Sequence, residues 1–210
     1  MFVKRFVNNP VPSNCYVVSS RESDGDCVII DPGSIDNNEL LSFLTSKRLT
    51  PKYIVLTHEH FDHAWGVNGL VEKYSIPIVC SELCSKNIKD EWLNCSAQYD
   101  DNTQFVIKSK TISIESLHYT LNSLGGEFSF VKTPGHTDAS LCVIVENYLF
   151  TGDTLIHNLK TVTKLPTGDL DKLKDSIMML REMKGIGYTV CPGHGEMFEL
   201  DKYDLNKALL

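Results

Sequence analysis

The stretch Thr57–His63, with the sequence THEHFDH, places three histidines and one aspartate within a few positions of each other. It directly follows the apolar run Tyr53–Leu56, which predicts a buried strand. The polar side chains therefore begin where a strand leaves its sheet, and side chains from several strands can converge there. Imidazole nitrogens and carboxylate oxygens are ligands that divalent transition metals favour. Because a solvated surface run has no reason to concentrate a scarce residue type in this spacing, the stretch predicts a metal site.

Composition limits the remaining choices of protein class. The chain has 210 residues, 42% of them hydrophobic, and a formal net charge of −7. This length is enough for one well-buried core, and the negative charge argues against nucleic acid or an anionic membrane as the main partner. The sequence shows neither a signal-peptide pattern nor a membrane-spanning run, and its seven cysteines are odd in number and scattered. We therefore expect free thiols and a cytoplasmic location.

The first eighty residues predict the order β-β-β-α-β-α-β. Asp36 is the expected N-cap of the first helix, which is followed by a second helix that ends at Tyr74. The predicted strands are Phe2-Val3, Cys15–Val18, Cys27–Ile30, Tyr53–Leu56 and Ile76–Cys80. A short helix and an irregular loop are expected between Ser81 and Asn102.

The second half is again rich in strands. The predicted strands are Phe105–Ile107, Thr111–Ile114, Phe128–Val131, Ser140–Val145, Tyr148–Phe150 and Tyr188–Cys191, with the stretch from Glu115 to Leu124 left ambiguous. Asp169 can cap a helix, and residues 201–210 can form a short terminal one. Two strand-rich halves, each with helices, predict two sheets with helices outside, in one layered α/β domain spanning residues 1–210.

Three further metal-type side chains are expected at strand ends. His136 and His194 each follow a Pro-Gly pair after an apolar run, and Asp153 follows Gly152 after another. Pro-Gly favours a tight turn at the end of a strand. Each position is weak evidence when taken alone, but together with Thr57–His63 they predict that four strand ends deliver ligands to one place.

With these motifs in hand, the chain resembles the metallo-β-lactamase-fold hydrolases over nearly its full length. The motifs that carry the resemblance are Asp31-Pro32-Gly33, the stretch His58–His63, His136, Asp153 and His194. The resemblance implies an α/β fold of the four-layer αββα sandwich type, with metals at one edge between the two sheets. It also implies a supporting role for Asp31 in orienting a ligand, although an Asp-Pro turn that ends a strand explains this residue equally well.

The resemblance further implies two metal positions. One metal would be bound by His58, His60 and His136, the second by Asp62, His63 and His194, with Asp153 bridging them. Nitrogen and oxygen donors without sulfur suit zinc first, with iron and manganese also possible. Two such cations share a bridging hydroxide that attacks an acyl or phosphoryl centre. Asp62 and Asp153 are the expected catalytic residues, which orient the hydroxide and carry its proton onward.

Among the branches of this family, the chain looks most like the small thioesterases of glyoxalase II type (hydroxyacylglutathione hydrolases). The similarity lies in Gly152–Leu155 and in the stretch Leu165–Asp169. The segment His157–Lys160 departs from that branch, and the chain ends soon after His194, so the additional C-terminal helical domain of that branch is not expected. We therefore expect a small ester-like substrate, with a thioester as the first choice.

Several alternatives remain open. A mononuclear iron enzyme of the persulfide dioxygenase type would use positions matching His58, His136 and Asp153. Lactonases and phosphodiesterases share the fold, and a metal-binding scaffold without catalysis is a third class. Cleavage of β-lactams is disfavoured, because true β-lactamases commonly have another residue type at the position of Asp153.

The sequence offers candidate substrate contacts and predicts no particular oligomeric state. His118, Tyr119, His157, Lys160 and Lys164 are candidate contacts. Trp92 and Tyr99 either form an apolar wall of the substrate pocket or pack the loop that contains them. Glu59 and Phe61 are assigned no chemistry and are interpreted as spacers.

Overall fold

The fold is built on two six-stranded sheets in a computed structural model that describes residues 1–99, 102–116 and 118–210. The first sheet contains β1 Phe2–Val7, β2 Asn14–Ser19, β3 Gly25–Ile30, β4 Leu49–Val55, β5 Ile78–Ser81 and β6 Thr111–Ile114. The second contains β7 His118–Ser123, β8 Gly126–Lys132, β9 Leu141–Val145, β10 Tyr148–Gly152, β11 Thr189–Pro192 and β12 Phe198–Glu199. The α-helices are α1 Asn38–Ser46, α2 Phe61–Ala64, α3 Val67–Tyr74, α4 Glu82–Asn87, α5 Ser96–Tyr99 and α6 Leu170–Glu182, and two 3₁₀ helices span Leu200–Lys202 and Leu205–Ala208.

Both sheets contain parallel strands whose carboxyl ends lie at the same edge. In the first sheet β3, β4, β5 and β6 are parallel, and in the second β10 is parallel to β11. The two sheets meet at this edge: the amide of Leu141 donates to the carbonyl of Thr57, and Ser13 forms an isolated bridge with His194. Loops from both sheets are therefore brought together between the layers.

The alternation of side chains along each strand produces the four layers. On β2, Cys15 and Val17 pack towards α1 and α3, whereas Tyr16 and Val18 pack against the second sheet. On the outer face of the second sheet, α6 buries Leu173, Ile177 and Leu180 against Cys142, Leu149 and Val190. The arrangement is helix, sheet, sheet, helix, which confirms the predicted αββα sandwich.

Most predicted elements are present, and the exceptions have local causes. The order of the first eighty residues is confirmed, with the short α2 added before α3. The strand predicted at Phe105–Ile107 is wrong, because the carbonyls of Phe105 and Val106 accept from asparagine side chains and the amide of Ile107 donates to the end of α4. Helix α1 has Asn37 rather than Asp36 as its N-cap.

Other ambiguous regions acquire defined structure. The uncertain stretch after Glu115 contains β7, although Leu117 lies outside the described residues, as do positions 100 and 101 of the predicted loop. Asp169 caps α6 as predicted, accepting from the amides of Asp171 and Lys172. The terminal helix is replaced by the two 3₁₀ helices. Within the described residues, no helix has the length and apolar character needed to cross a membrane.

Leu180→Ala should test the outer layer. Leu180 is fully buried under α6, so truncation should lower the free energy of unfolding by about 2–5 kcal/mol in urea titration. Met178 on the same helix is exposed, and Met178→Ala should change it by no more than about 0.5 kcal/mol. Equal effects of the two substitutions would contradict the layer assignment.

Candidate metal centre

The carboxyl ends of four strands place the functional side chains. Asp31 follows β3, the stretch Thr57–His63 follows β4, Asp153 follows β10, and His194 follows β11 through Gly193. His136 lies in the loop between β8 and β9. The sequence-based prediction that these strand ends meet at one edge is therefore reproduced by the structure.

His58, His60 and His136 form the first group of potential ligands. One nitrogen from each lies within 4.8 Å of the others, and all three side chains are buried. Nε2 of His136 and Nδ1 of His60 are 2.9 Å apart. This is a set of three imidazole nitrogen donors of the kind that binds a transition metal.

Asp62, His63 and His194 form the second group, with one ligand atom each inside the same 4.8 Å limit. Oδ2 of Asp62 lies 3.2 Å from Nε2 of His194 and 3.6 Å from Nε2 of His63. The set therefore combines two nitrogens with one carboxylate, which adds negative charge to this side of the centre.

The carboxylate of Asp153 lies between the two groups. Its Oδ2 is 3.7 Å from Nε2 of His136, in the first group, and 3.4 Å from Nε2 of His194, in the second. Its Oδ1 is 3.4 Å from Nε2 of His63. A single carboxylate that contacts both groups has the placement expected of a bridging ligand.

Asp31 contacts residues that serve both groups. Its Oδ1 accepts from the amide of Thr57 at 2.8 Å, and its Oδ2 accepts from the Thr57 hydroxyl at 2.6 Å. Nδ1 of His63 is 3.1 Å from the same Oδ2, and Nδ1 of His58 is 3.0 Å from Oγ1 of Thr57. Because Asp31 can only accept in these contacts, it fixes the Nδ1–H tautomer of His63 and, through Thr57, that of His58. Asp31 also belongs to a third close group with His58 and His63, but its oxygens are already engaged.

Backbone carbonyls orient two further histidines in the same way. Nδ1 of His136 lies 2.8 Å from the carbonyl of Val162, and Nδ1 of His194 lies 3.1 Å from that of Pro12. Each ring therefore donates through Nδ1 and turns its Nε2 towards Asp153. No role was predicted for Thr57, although it lies in the stretch Thr57–His63, and the carbonyls could not be identified because a backbone acceptor has no residue-type signal.

The donor set fits a divalent cation. Four buried atoms of these side chains have no hydrogen-bond partner, namely Nε2 of His58, His60 and His63 and Oδ1 of Asp153. A buried polar atom without a partner costs about 1–3 kcal/mol. A cation would give several of these lone pairs a partner.

The pKa values show that the two groups differ in charge preference. Burial and the neighbouring His136 together lower the pKa of His60 to about 3, and burial also lowers the pKa of His58. Burial opposes the charged form of His63 and His194 too, but Asp62 and Asp153 outweigh it and raise their pKa values to about 9 and about 11. The second group therefore attracts positive charge strongly, which a metal can supply in place of protons.

Glycines allow the close approach of the ligand loops. A Cβ at Gly193 would overlap the carboxylate of Asp153 and lie 2.8 Å from the ring of His63. Gly152 has φ +48°, and a Cβ there would overlap the Thr57 side chain. The glycines that precede Asp153 and His194 are therefore steric requirements of the centre.

The candidate substrate contacts lie in different surroundings in the structure. His157 stacks on Phe198 with ring centroids 5.0 Å apart, and Lys160 donates to the carbonyl of Leu210, so both contact the C-terminal segment. The ring of Tyr119 packs near Phe130. Lys164 is exposed, and the side chain of His118 lies outside the described residues.

The two aromatic loop residues, Tyr99 and Trp92, also have different surroundings in the structure. Tyr99 packs on Phe61 and Trp65, with ring centroids 4.9 and 5.4 Å away, which supports loop packing. Trp92 is 63% exposed and does not join this aromatic cluster. The interpretation of Glu59 as a spacer is incomplete, because this residue is fully buried and its carboxylate accepts hydrogen bonds.

Comparison with known proteins gives consistent matches. Residues 8–194 match the family model of the metallo-β-lactamase superfamily. The B3 metallo-β-lactamase BLEG-1 is 28% identical with a TM-score of 0.85, covering 95% of this chain and 94% of that one. TTHA1623 in a di-iron-bound form is 26% identical with a TM-score of 0.78, covering 94% of each chain. ETHE1 from Myxococcus xanthus, at 18% identity and a TM-score of 0.74 over 100% of this chain and 88% of that one, shares the fold.

Asp31→Asn should weaken metal binding by changing a tautomer. The asparagine amide can donate to Nδ1 of His63, which would move the ring proton to Nε2, where the lone pair is needed. We expect metal affinity to fall about 10–100-fold in competition with a chromophoric chelator. Asp26→Asn makes the same change on the exposed part of β3 and should leave affinity unchanged. Native affinity in Asp31→Asn would refute the orienting role.

Proposed function

The chain belongs to the metallo-β-lactamase superfamily, and we propose that it is a dinuclear metal hydrolase acting on a small ester-like substrate, with thioesters as the first class. Members of this superfamily are mostly metal-dependent hydrolases that bind divalent metals. The observation that carries the proposal is the position of Asp153, whose carboxylate contacts His136 in one ligand group and His63 and His194 in the other.

The proposed ligands are the residues of the two groups. His58, His60 and His136 would bind one ion and Asp62, His63 and His194 the other, with Asp153 shared between them. When bound, a pair of divalent ions supplies a water of lowered pKa and a Lewis acid for the substrate oxygen. The di-iron form of TTHA1623 supports two positions. The nitrogen and oxygen donors suit zinc first, with iron and manganese as alternatives.

The side chains of the second group also define the open side of the centre. His194 is 23% exposed and Asp62 is 12% exposed, whereas His63 is fully buried. We therefore expect a substrate to approach past His194, which is the most exposed of the proposed ligands. The carboxylate of Asp62 lies at this opening, and His63 and His194 keep it ionised by lowering its pKa against the effect of burial. We propose that this carboxylate orients the attacking water and passes its proton to solvent.

The thioester assignment rests on sequence resemblance to the glyoxalase II-like branch. Gly152–Leu155 carries that resemblance, and by the same resemblance Asp153 would bridge the two ions. BLEG-1 makes β-lactams a second substrate class for assay, since it is a B3 metallo-β-lactamase and 28% identical.

A mononuclear iron enzyme is disfavoured because Asp62, His63 and His194 lie together and are available for a second metal. We propose a free small molecule as the substrate and a cytoplasmic location.

Metal content and a substrate panel test the function. Protein purified without chelator should contain about two metal ions per chain. It should hydrolyse S-lactoylglutathione or simple acyl thioesters faster than lactones, phosphodiesters or a β-lactam, and chelation should abolish turnover. One iron per chain with oxygen uptake on a persulfide would contradict the hydrolase proposal. Metal-loaded protein that turns over no member of the panel would also contradict it.

Asp153→Asn should impair catalysis in a protein that still folds. The amide keeps the size of the side chain but loses the negative charge that faces three histidines. We expect kcat/KM to fall by about 10²–10⁴-fold in steady-state assays. Asp171→Asn, on the exposed first turn of α6, should retain native kinetics. Native activity in Asp153→Asn would be inconsistent with a bridging carboxylate.

A further inference from the structure

Glu59 lies between two ligands but points away from the metal centre. The rings of His58 and His60 converge with His136, whereas the carboxylate of Glu59 belongs to neither ligand group and bonds to other residues. Its side chain is 0% exposed. A buried carboxylate is costly unless donors satisfy it, so its partners indicate what the position contributes.

Three donors from three separate segments meet this carboxylate. Asn87 at the end of α4 donates through Nδ2 to Oε1 at 2.9 Å, and Thr137 donates through its hydroxyl to Oε2 at 2.9 Å. The hydroxyl of Thr167 lies 3.5 Å from Oε1. The two oxygens thus hold different parts of the chain at the same time.

Two of these contacts lead to the remaining ligand of the first group. Thr137 directly follows His136, and Thr167 lies in the same loop as Val162, whose carbonyl orients the His136 ring. The amide of Asp138 donates to Thr167 at 3.2 Å, which closes the connection between these two loops. Glu59 therefore joins the segment that bears His58 and His60 to both segments that place His136.

We propose that Glu59 is a positioning residue that sets the geometry and metal affinity of the site formed by His58, His60 and His136. The inference rests on the proposed metal centre and deepens it. Asp31 orients His63 directly and His58 through Thr57, whereas Glu59 controls how closely His136 approaches the other two histidines. A residue that merely fills the space beneath the loop would affect stability without changing this site selectively.

Glu59→Gln tests the proposal with the least steric change. An amide has only one acceptor oxygen, so it cannot accept from both Asn87 and Thr137 as the carboxylate does. In zinc competition with a chromophoric chelator, we expect one of the two binding constants to fall about tenfold and the other to change less than about threefold. The visible absorption of the Co²⁺-substituted protein should also change. Glu72→Gln on the exposed side of α3 is the matched control and should behave as native.

Thr137→Val tests the same hydrogen bond from the side of its donor. It removes the hydroxyl that bonds Oε2 and should weaken the same binding constant, and the double variant should lose less than the sum of the two single losses. This variant decides the matter if Glu59→Gln does not fold.

The outcomes separate this inference from the proposed function. Variants with a lowered melting temperature but native binding constants and a native Co²⁺ spectrum would overturn the positioning role and leave the hydrolase proposal intact. Native protein that binds two metals but hydrolyses nothing would overturn the proposed function, while a selective affinity loss in Glu59→Gln would still support the positioning role. Native protein that binds no metal would overturn both.

Discussion

The convergence of lone pairs and carboxylates at one buried edge is the constraint on which the structure depends. Nε2 atoms of several histidines and both oxygens of Asp153 point at a common volume, and four such atoms lack a hydrogen-bond partner. Groups of this kind are destabilising when buried alone, and they become favourable when a cation is shared between them. The pKa values agree, because Asp62 and Asp153 overcome burial and favour positive charge on His63 and His194.

The surrounding fold holds these groups at short distances. The two sheets pack through Tyr16 and Phe150, with ring centroids 5.2 Å apart, and the Tyr16 hydroxyl donates to the carbonyl of Pro192 at 2.7 Å. Asn14 donates to the same carbonyl at 2.9 Å, so the first sheet hydrogen-bonds directly to the turn that carries His194. Each histidine oriented by a carbonyl or by Asp31 has one nitrogen engaged, so the other faces the centre. Ligand geometry is therefore set by the sandwich as a whole.

The sequence was sufficient for the parts that depend on local pattern. Continuous apolar runs predicted β3 and β4, since strands buried on both faces need apolar side chains throughout. Glycine and proline beside His136, Asp153 and His194 indicated strand ends, because close loop packing excludes a Cβ there. The superfamily and the layered fold followed, while the assignment of ligands to two metals and the single-domain boundaries stay predictions.

What the sequence did not reveal depends on contacts between distant segments. Phe105–Ile107 has the composition of a strand, yet its backbone bonds to side chains and to the end of α4. Glu59 was interpreted as a spacer because its partners, Asn87 and Thr137, are far away in sequence and carry no motif. Carbonyl acceptors such as that of Val162 have no residue-type signature at all.

Anomalous diffraction from crystals of the metal-loaded protein, recorded on either side of the absorption edge of the metal, tests the central claim most directly. The account predicts two anomalous peaks that flank the carboxylate of Asp153, one among His58, His60 and His136 and the other among Asp62, His63 and His194. A single peak, or peaks away from Asp153, would contradict it.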